Sequence, residues 1–167
     1  MKVNNELMVP LVKDIMTKKV IAFRFDFSLF DAIEAFNKYQ ISAAPVINEH
    51  SEVIGFLSES DSIRCIVNCI FYDENRNNTI DLIMNRNFQS AQPQWDIFEL
   101  ENFFVSKRIR VAPVVNQEKH LLGIVARKDI LQSLEKILRK LVEHKKNLKE
   151  PDELQLREKI RMIIDFK

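Results

Sequence analysis

The chain has 167 residues, of which 46 % are apolar and 29 % charged, and its formal net charge is +1. Such a balance fits a globular chain of one domain, or of two small ones sharing a core, and argues against a large nucleic-acid footprint, which needs a basic excess. No apolar run approaches the ~20 residues of a membrane span, and the opening MKVNNELMVPLVKD has no signal-peptide core, so a cytoplasmic protein without membrane or nucleic-acid partners is expected.

The first element in chain order is a short amphipathic turn, LVKDIM (11–16), followed by a brief apolar strand, VIAF (20–23). Ser28 is an acceptable N-cap for a helix that carries Leu29, Ile33 and Phe36 at helical spacing. After a polar break come two strands, APVIN and VIGFLS, whose separation EHSE is short enough for a hairpin. A second helix starts after Ser58. In it Cys65 and Cys69 lie four apart, too strained for a disulfide on one helix face, and are expected as buried apolar residues. The polar linker FYDENRNNT follows.

The order then repeats. LIM (82–84) leads to a strand, FQSA (88–91), and Asp96 caps a helix with Ile97, Leu100, Phe103 and Phe104 on its apolar face. The strands APVVN and LLGIVA are separated by QEKH, and a last long helix starts after Ala126. It has no proline or glycine up to Glu150, and Leu131, Leu134, Leu138 and Leu141 form an expected apolar stripe. Pro151 breaks it, and Asp152 can cap a final helix with Ile160, Ile163 and Ile164 on one face.

One offset, 68 residues, relates the two halves from about residue 14 to residue 64 without insertion. It pairs Phe30 with Phe98, Phe36 with Phe104, Ile41 with Ile109, and AAPVIN with VAPVVN. It also pairs the chain's only two glycines, Gly55 and Gly123, each six residues before an aspartate, Asp61 and Asp129. The predicted class is α/β (α+β): β-α-β-β-α twice. Neither half is long enough to bury much core alone, so the two are expected to pack together.

Each half resembles a CBS domain, the small β-α-β-β-α module first named from cystathionine β-synthase. The resemblance rests on DIM, ISAAPV and GFLSESD in the first half and on LIM, IRVAPV and GIVARKD in the second, within about residues 10–135. It implies two domains, 10–72 and 79–135, packed around a pseudo-twofold axis, with a helical extension over 136–167. It also implies two clefts that often bind adenine nucleotides, and a regulatory role attached to an enzyme or channel or as a stand-alone sensor.

Site residues carry over position by position. A glycine inside the strand lets another group approach, either a neighbouring strand or a ligand. In the family the aspartate, here Asp61 and Asp129, holds the ribose hydroxyls, and a hydroxyl residue, here Ser58, lies near the phosphate. Without the resemblance, Ser58 and Asp61 read as a helix cap and a dipole partner. Ala126 departs from the pattern and removes one hydroxyl from the second site. The family's basic residue before the P-V strand matches Arg110, with Ser42 as its counterpart, and Arg127 and Lys128 add charge. Adenine slots would come from Val20, Ile21 and Ala22 with Ala43 and Ala44, and from Phe88, Gln89 and Ser90 with Val111 and Ala112.

His50 and His120 fall in the hairpin turns, Trp95 reads as packing beside a helix start, and no GxSxG, HExxH or P-loop is present. The expected protein is therefore a non-catalytic regulatory module, without metal or catalytic residues, that senses an adenine nucleotide. It is expected to be a homodimer with an unidentified regulated partner. The alternative is a CBS-fold scaffold that binds no small molecule.

Overall fold

The computed structural model describes residues 9–71 and 79–146. In chain order the elements are α1 (Val12–Ile15), β1 (Phe23–Arg24), α2 (Leu29–Tyr39), β2 (Ala43–Ile47), β3 (Val53–Ser58), α3 (Glu59–Phe71), a 3-10 turn (Ile80–Leu82), α4 (Ile97–Ser106), β4 (Val111–Val115), β5 (Leu121–Ala126) and α5 (Arg127–Lys146). Met8–Ile130 form one compact unit; from Leu131 onward α5 belongs to a second.

Local chemistry sets the helix starts. Ser28 Oγ accepts from the Asp31 N–H and the Asp31 carboxylate accepts from the Ser28 N–H, both at 3.1 Å. At α4 the Asp96 carboxylate accepts from Phe98 and Glu99 N–H at 2.8 and 2.9 Å, while Glu99 reaches back to the Asp96 N–H at 3.0 Å. Each reciprocal box satisfies amide donors that the helix itself leaves open. The hairpins turn on Asn48 and Asn116, whose side-chain oxygens accept from the amides two and four residues on.

The first strands are shorter than VIAF and FQSA suggest. β1 has two residues, parallel to β2, and its counterpart is a single parallel bridge, Ala91 to Val114. The residues that would extend each ladder backward face Pro45 and Pro113, which have no N–H to give. β2 and β3 pair antiparallel, as do β4 and β5. Both hairpins slip register at equivalent places, after Val46 and after Val114.

Within Met8–Ile130 the two halves exchange their lead-in segments. Thr17 and Ile124 donate to each other's carbonyls at 2.9 and 3.0 Å, and Asn85 and Phe56 do the same at 2.9 and 3.0 Å. Val12 N–H donates to Trp95 O at 2.8 Å, and its counterpart Ile80 N–H donates to Phe27 O at 2.9 Å. The bridges Leu11–Asp96 and Thr79–Ser28 form another such pair, and Glu52–His120 is its own counterpart. Every one of these contacts maps onto another, or onto itself, under the 68-residue offset. That is the signature of a pseudo-twofold axis, and it passes beside the Glu52–His120 bridge.

The cores follow the exchange. Phe23, Ala32, Phe36, Ala44, Val46 and Leu57 of the first half enclose Ile80 and Met84. Leu100, Phe103, Phe104, Ala112, Val114 and Val125 of the second half enclose Val12, with Met16 packed against them. Trp95 joins this second core, 5.1 Å from the Phe103 ring.

The two glycines have their reason here. A Cβ at Gly123 would stand 2.6 Å from the Met16 sulfur and 3.0 Å from the Thr17 carbonyl oxygen; at Gly55 it would run into the Met84 sulfur and stand 2.8 Å from its Cγ. The group that approaches each glycine is the methionine of the exchanged lead-in segment, and neither glycine has positive φ. The left-handed positions are instead Gln40, Ser51, Arg108 and Lys119, again two pairs at one offset.

Two expectations change. Cys65 is only partly buried, and the Cys69 side chain lies outside the described residues. On α5 it is Asp129, Ile130 and Ser133 that are buried, whereas Leu131, Leu134 and Leu138 are exposed and Leu141 is half-buried. The final helix expected after Pro151 and most of the FYDENRNNT linker also lie outside the described residues. No helix among the described residues is long and apolar enough to cross a membrane.

Candidate functional site

The strand-to-helix junctions place the two aspartates differently. Ser58 precedes α3, and its Oγ donates to Asp61 Oδ2 at 2.6 Å and accepts from the Asp61 N–H at 3.2 Å. Asp61 Oδ2 also accepts from the Ser58 N–H at 3.2 Å. At α5 the position of Ser58 is Ala126. Asp129 Oδ2 accepts a shorter bond, 2.7 Å, from the Ala126 N–H. Asp129 is only 9 % exposed. A buried carboxylate is tolerated there because the open amides and the positive end of the helix dipole face it.

Beside Asp129 lies a cleft of about 650 Å³ within Met8–Ile130, a size ordinary for small-molecule sites. Its walls are Lys19, Val20 and Ile21 before β1, residues 40–43 leading into β2, Arg110 and Val111 at the start of β4, and residues 124–129 across the β5–α5 junction. Backbone bonds fix this junction: Arg127 N–H donates to Arg110 O at 3.0 Å, as Glu59 N–H does to Ser42 O in the first half. The start of α5 is thereby tied to the start of β4, and Asp129 and Arg110 are held on one wall.

The cleft brings together Asp129, Arg127, Arg110, Ile21, Ala43 and Val111 from the expected set. It joins the apolar lead-in of the first half to the polar junction of the second, so one cleft draws on both repeats. Asp61, Ser58, Ala22 and Gln89 are not among its walls. Under the pseudo-twofold, Gln89 is the counterpart of Ile21, and Ser58 and Asp61 are those of Ala126 and Asp129. They therefore define the symmetry-related location. Arg127 also braces the neighbouring helix, since its guanidinium donates to Phe104 O at 3.1 Å, near the C-terminal end of α4. Sequence reasoning missed Lys19. Its only signal was its position two residues before Ile21.

Charge separates the two locations. The cleft walls carry Lys19, Arg110, Arg127 and Lys128 against one carboxylate, Asp129. The counterparts of Lys19, Arg127 and Lys128 are Asn87, Glu59 and Ser60. The symmetry-related location thus sets Arg108 and Arg110 against Glu59 and Asp61.

This fold and this junction are those of a CBS pair, and the CBS domain family model matches residues 12–67 and 80–136. The chain belongs to that family. It is 31 % identical over 166 aligned residues to the uncharacterized protein MJ1426 of Methanocaldococcus jannaschii, covering 80 % of this chain and 95 % of that one. It is 29 % identical to the A-adding tRNA nucleotidyltransferase of Aquifex aeolicus over 78 % of this chain but only 15 % of the relative. The same module thus occurs inside a far longer enzyme. Among solved structures, the CBS domain pair of protein MJ0100 in complex with 5′-methylthioadenosine and S-adenosyl-L-methionine superposes with a TM-score of 0.66 at 26 % identity, covering 76 % of this chain and 97 % of that chain.

Proposed function

We propose that the chain is a regulatory module that senses an adenine nucleotide in the Asp129 cleft and passes the bound state to a partner protein. The observation that carries this reading is the Asp129 carboxylate. It stands nearly buried in a cleft wall with one backbone donor, beside the apolar residues Val20, Ile21 and Ala43 and among four cations. A carboxylate can accept hydrogen bonds from both ribose hydroxyls, the apolar wall can cover an adenine face, and the cations can meet phosphate. The methylthioadenosine and S-adenosylmethionine held by the MJ0100 pair make adenosine the natural probe. Such a sensor needs no reacting group, and ligand binding alone supplies the signal. Binding to the folded state alone raises the unfolding midpoint by mass action. Adenosine, AMP and ATP should therefore raise it, and no shift at millimolar ligand would end the reading.

A second reading, a pairing scaffold, is favoured by the outward residues of α3. Ile63, Val67 and Ile70 are exposed at helical spacing, and on α5 so are Leu131, Leu134 and Leu138. Such faces can bring two copies together as a homodimer. A single-chain mass by light scattering at tens of micromolar protein would contradict it.

A further inference from the structure

Resting on the nucleotide reading, we infer that the Asp129 cleft selects among adenosine ligands by charge. It favours nucleoside polyphosphates and disfavours cationic sulfonium nucleosides, with Lys19 as a selecting residue. Four cations and one carboxylate line a cavity of about 650 Å³. Arg127 is partly engaged, since its guanidinium holds Phe104 O at 3.1 Å. Lys19, Arg110 and Lys128 make no side-chain hydrogen bond or ion pair with the described residues, so their charge is available to a ligand. Within a cleft the low-dielectric walls concentrate the field of such groups, and an anion gains where a cation loses. The excess is a property of this cleft and not of the fold, because the pseudo-twofold places Asn87, Glu59 and Ser60 where Lys19, Arg127 and Lys128 stand. Neutral adenosine and 5′-methylthioadenosine share the adenine and ribose contacts and isolate the effect of charge. S-adenosylmethionine adds a net positive charge to the same nucleoside, and ATP adds a large negative one.

Titration calorimetry without divalent cation, at low and at high salt, compares ATP, adenosine, methylthioadenosine and S-adenosylmethionine on the wild type and on Lys19→Glu. At low salt ATP should bind roughly tenfold or more tighter than adenosine, as one charge-assisted contact is enough to give. S-adenosylmethionine should bind about threefold or more weaker than methylthioadenosine. Both gaps should narrow at high salt, where exposed charges are screened within about 8 Å or less. Lys19→Glu, at an exposed site, should shrink both gaps, each read against adenosine or methylthioadenosine on the same variant. If adenosine and methylthioadenosine bind but ATP is no tighter and S-adenosylmethionine no weaker, selection by charge is overturned while the nucleotide reading stands. If no adenosine ligand binds at millimolar concentration, both fall together.

Discussion

The β3–α3 and β5–α5 junctions are built to one plan and differ in two respects. At the first, Ser58 and Asp61 close a complete box on each other, with Oγ to Oδ2 at 2.6 Å. At the second, Ala126 leaves Asp129 with a single backbone donor at 2.7 Å, and the residues around it are cationic where their counterparts are neutral or acidic. The first junction is optimised as a helix start. The second gives up part of that local stability and keeps a carboxylate beside a charged cleft. Two copies of one motif can thus diverge into a structural end and a candidate binding end while the backbone keeps one pattern of bonds.

The exchanged lead-in segments let the comparison be strained from the core outward. Gly123→Ala should be the more damaging of the two glycine changes, because the new methyl stands 3.0 Å from the Thr17 carbonyl oxygen as well as against Met16, whereas the three atoms nearest a methyl at Gly55 all belong to the flexible Met84 side chain. Overpacking of this kind costs about 1–3 kcal/mol, with Gly55→Ala toward the lower end. Denaturant melts of the two variants measure the difference, and equal effects would mean that the backbone contact is not felt.

Next in size, Ser58→Ala should destabilise by about 1 kcal/mol, since it removes both side-chain contacts of the α3 box. The reverse change sharpens the contrast. Ala126→Ser should rebuild the box at α5 and stabilise by about 0.5–1 kcal/mol. Both are read from denaturant midpoints, and a destabilised Ala126→Ser would show that the two junctions are not equivalent in backbone. The smallest effect should come from the turns. Ser51→Gly and Lys119→Gly, at φ 62° and 65°, should each stabilise by a few tenths to about 1 kcal/mol.

Much of the fold was legible because its signals are local or repeated. Ser28 and Asp96 cap where expected, the APV strands form, and the 68-residue offset reappears in turns, register slips and cross-half bonds. The lead-in exchange was not legible. The offset aligns Met16 with Met84 but cannot say that each packs on the other half's glycine, because a repeat reads the same whether its segments stay home or cross over. The short first strands were hidden because apolar composition at 20–22 does not reveal that the facing partner is a proline. At the site, Asp129, Arg110 and Ile21 were reachable by position, and the cleft that unites them depends on the exchange. Lys19 was passed over for the same reason: a lone surface lysine carries no pattern until the opposite wall is known.

The proposed role of Asp129 as the ligand-holding carboxylate of the charged cleft is tested most directly by calorimetry with ATP and adenosine on the wild type, Asp129→Asn and Asp61→Asn. Asp129→Asn should weaken both ligands by roughly ten- to a hundredfold, the loss expected for charge-assisted bonds to ribose. Asp61→Asn should leave affinity at this cleft within about twofold, a change of under ~0.5 kcal/mol. Unchanged binding in Asp129→Asn, or an equal loss in Asp61→Asn, would contradict it.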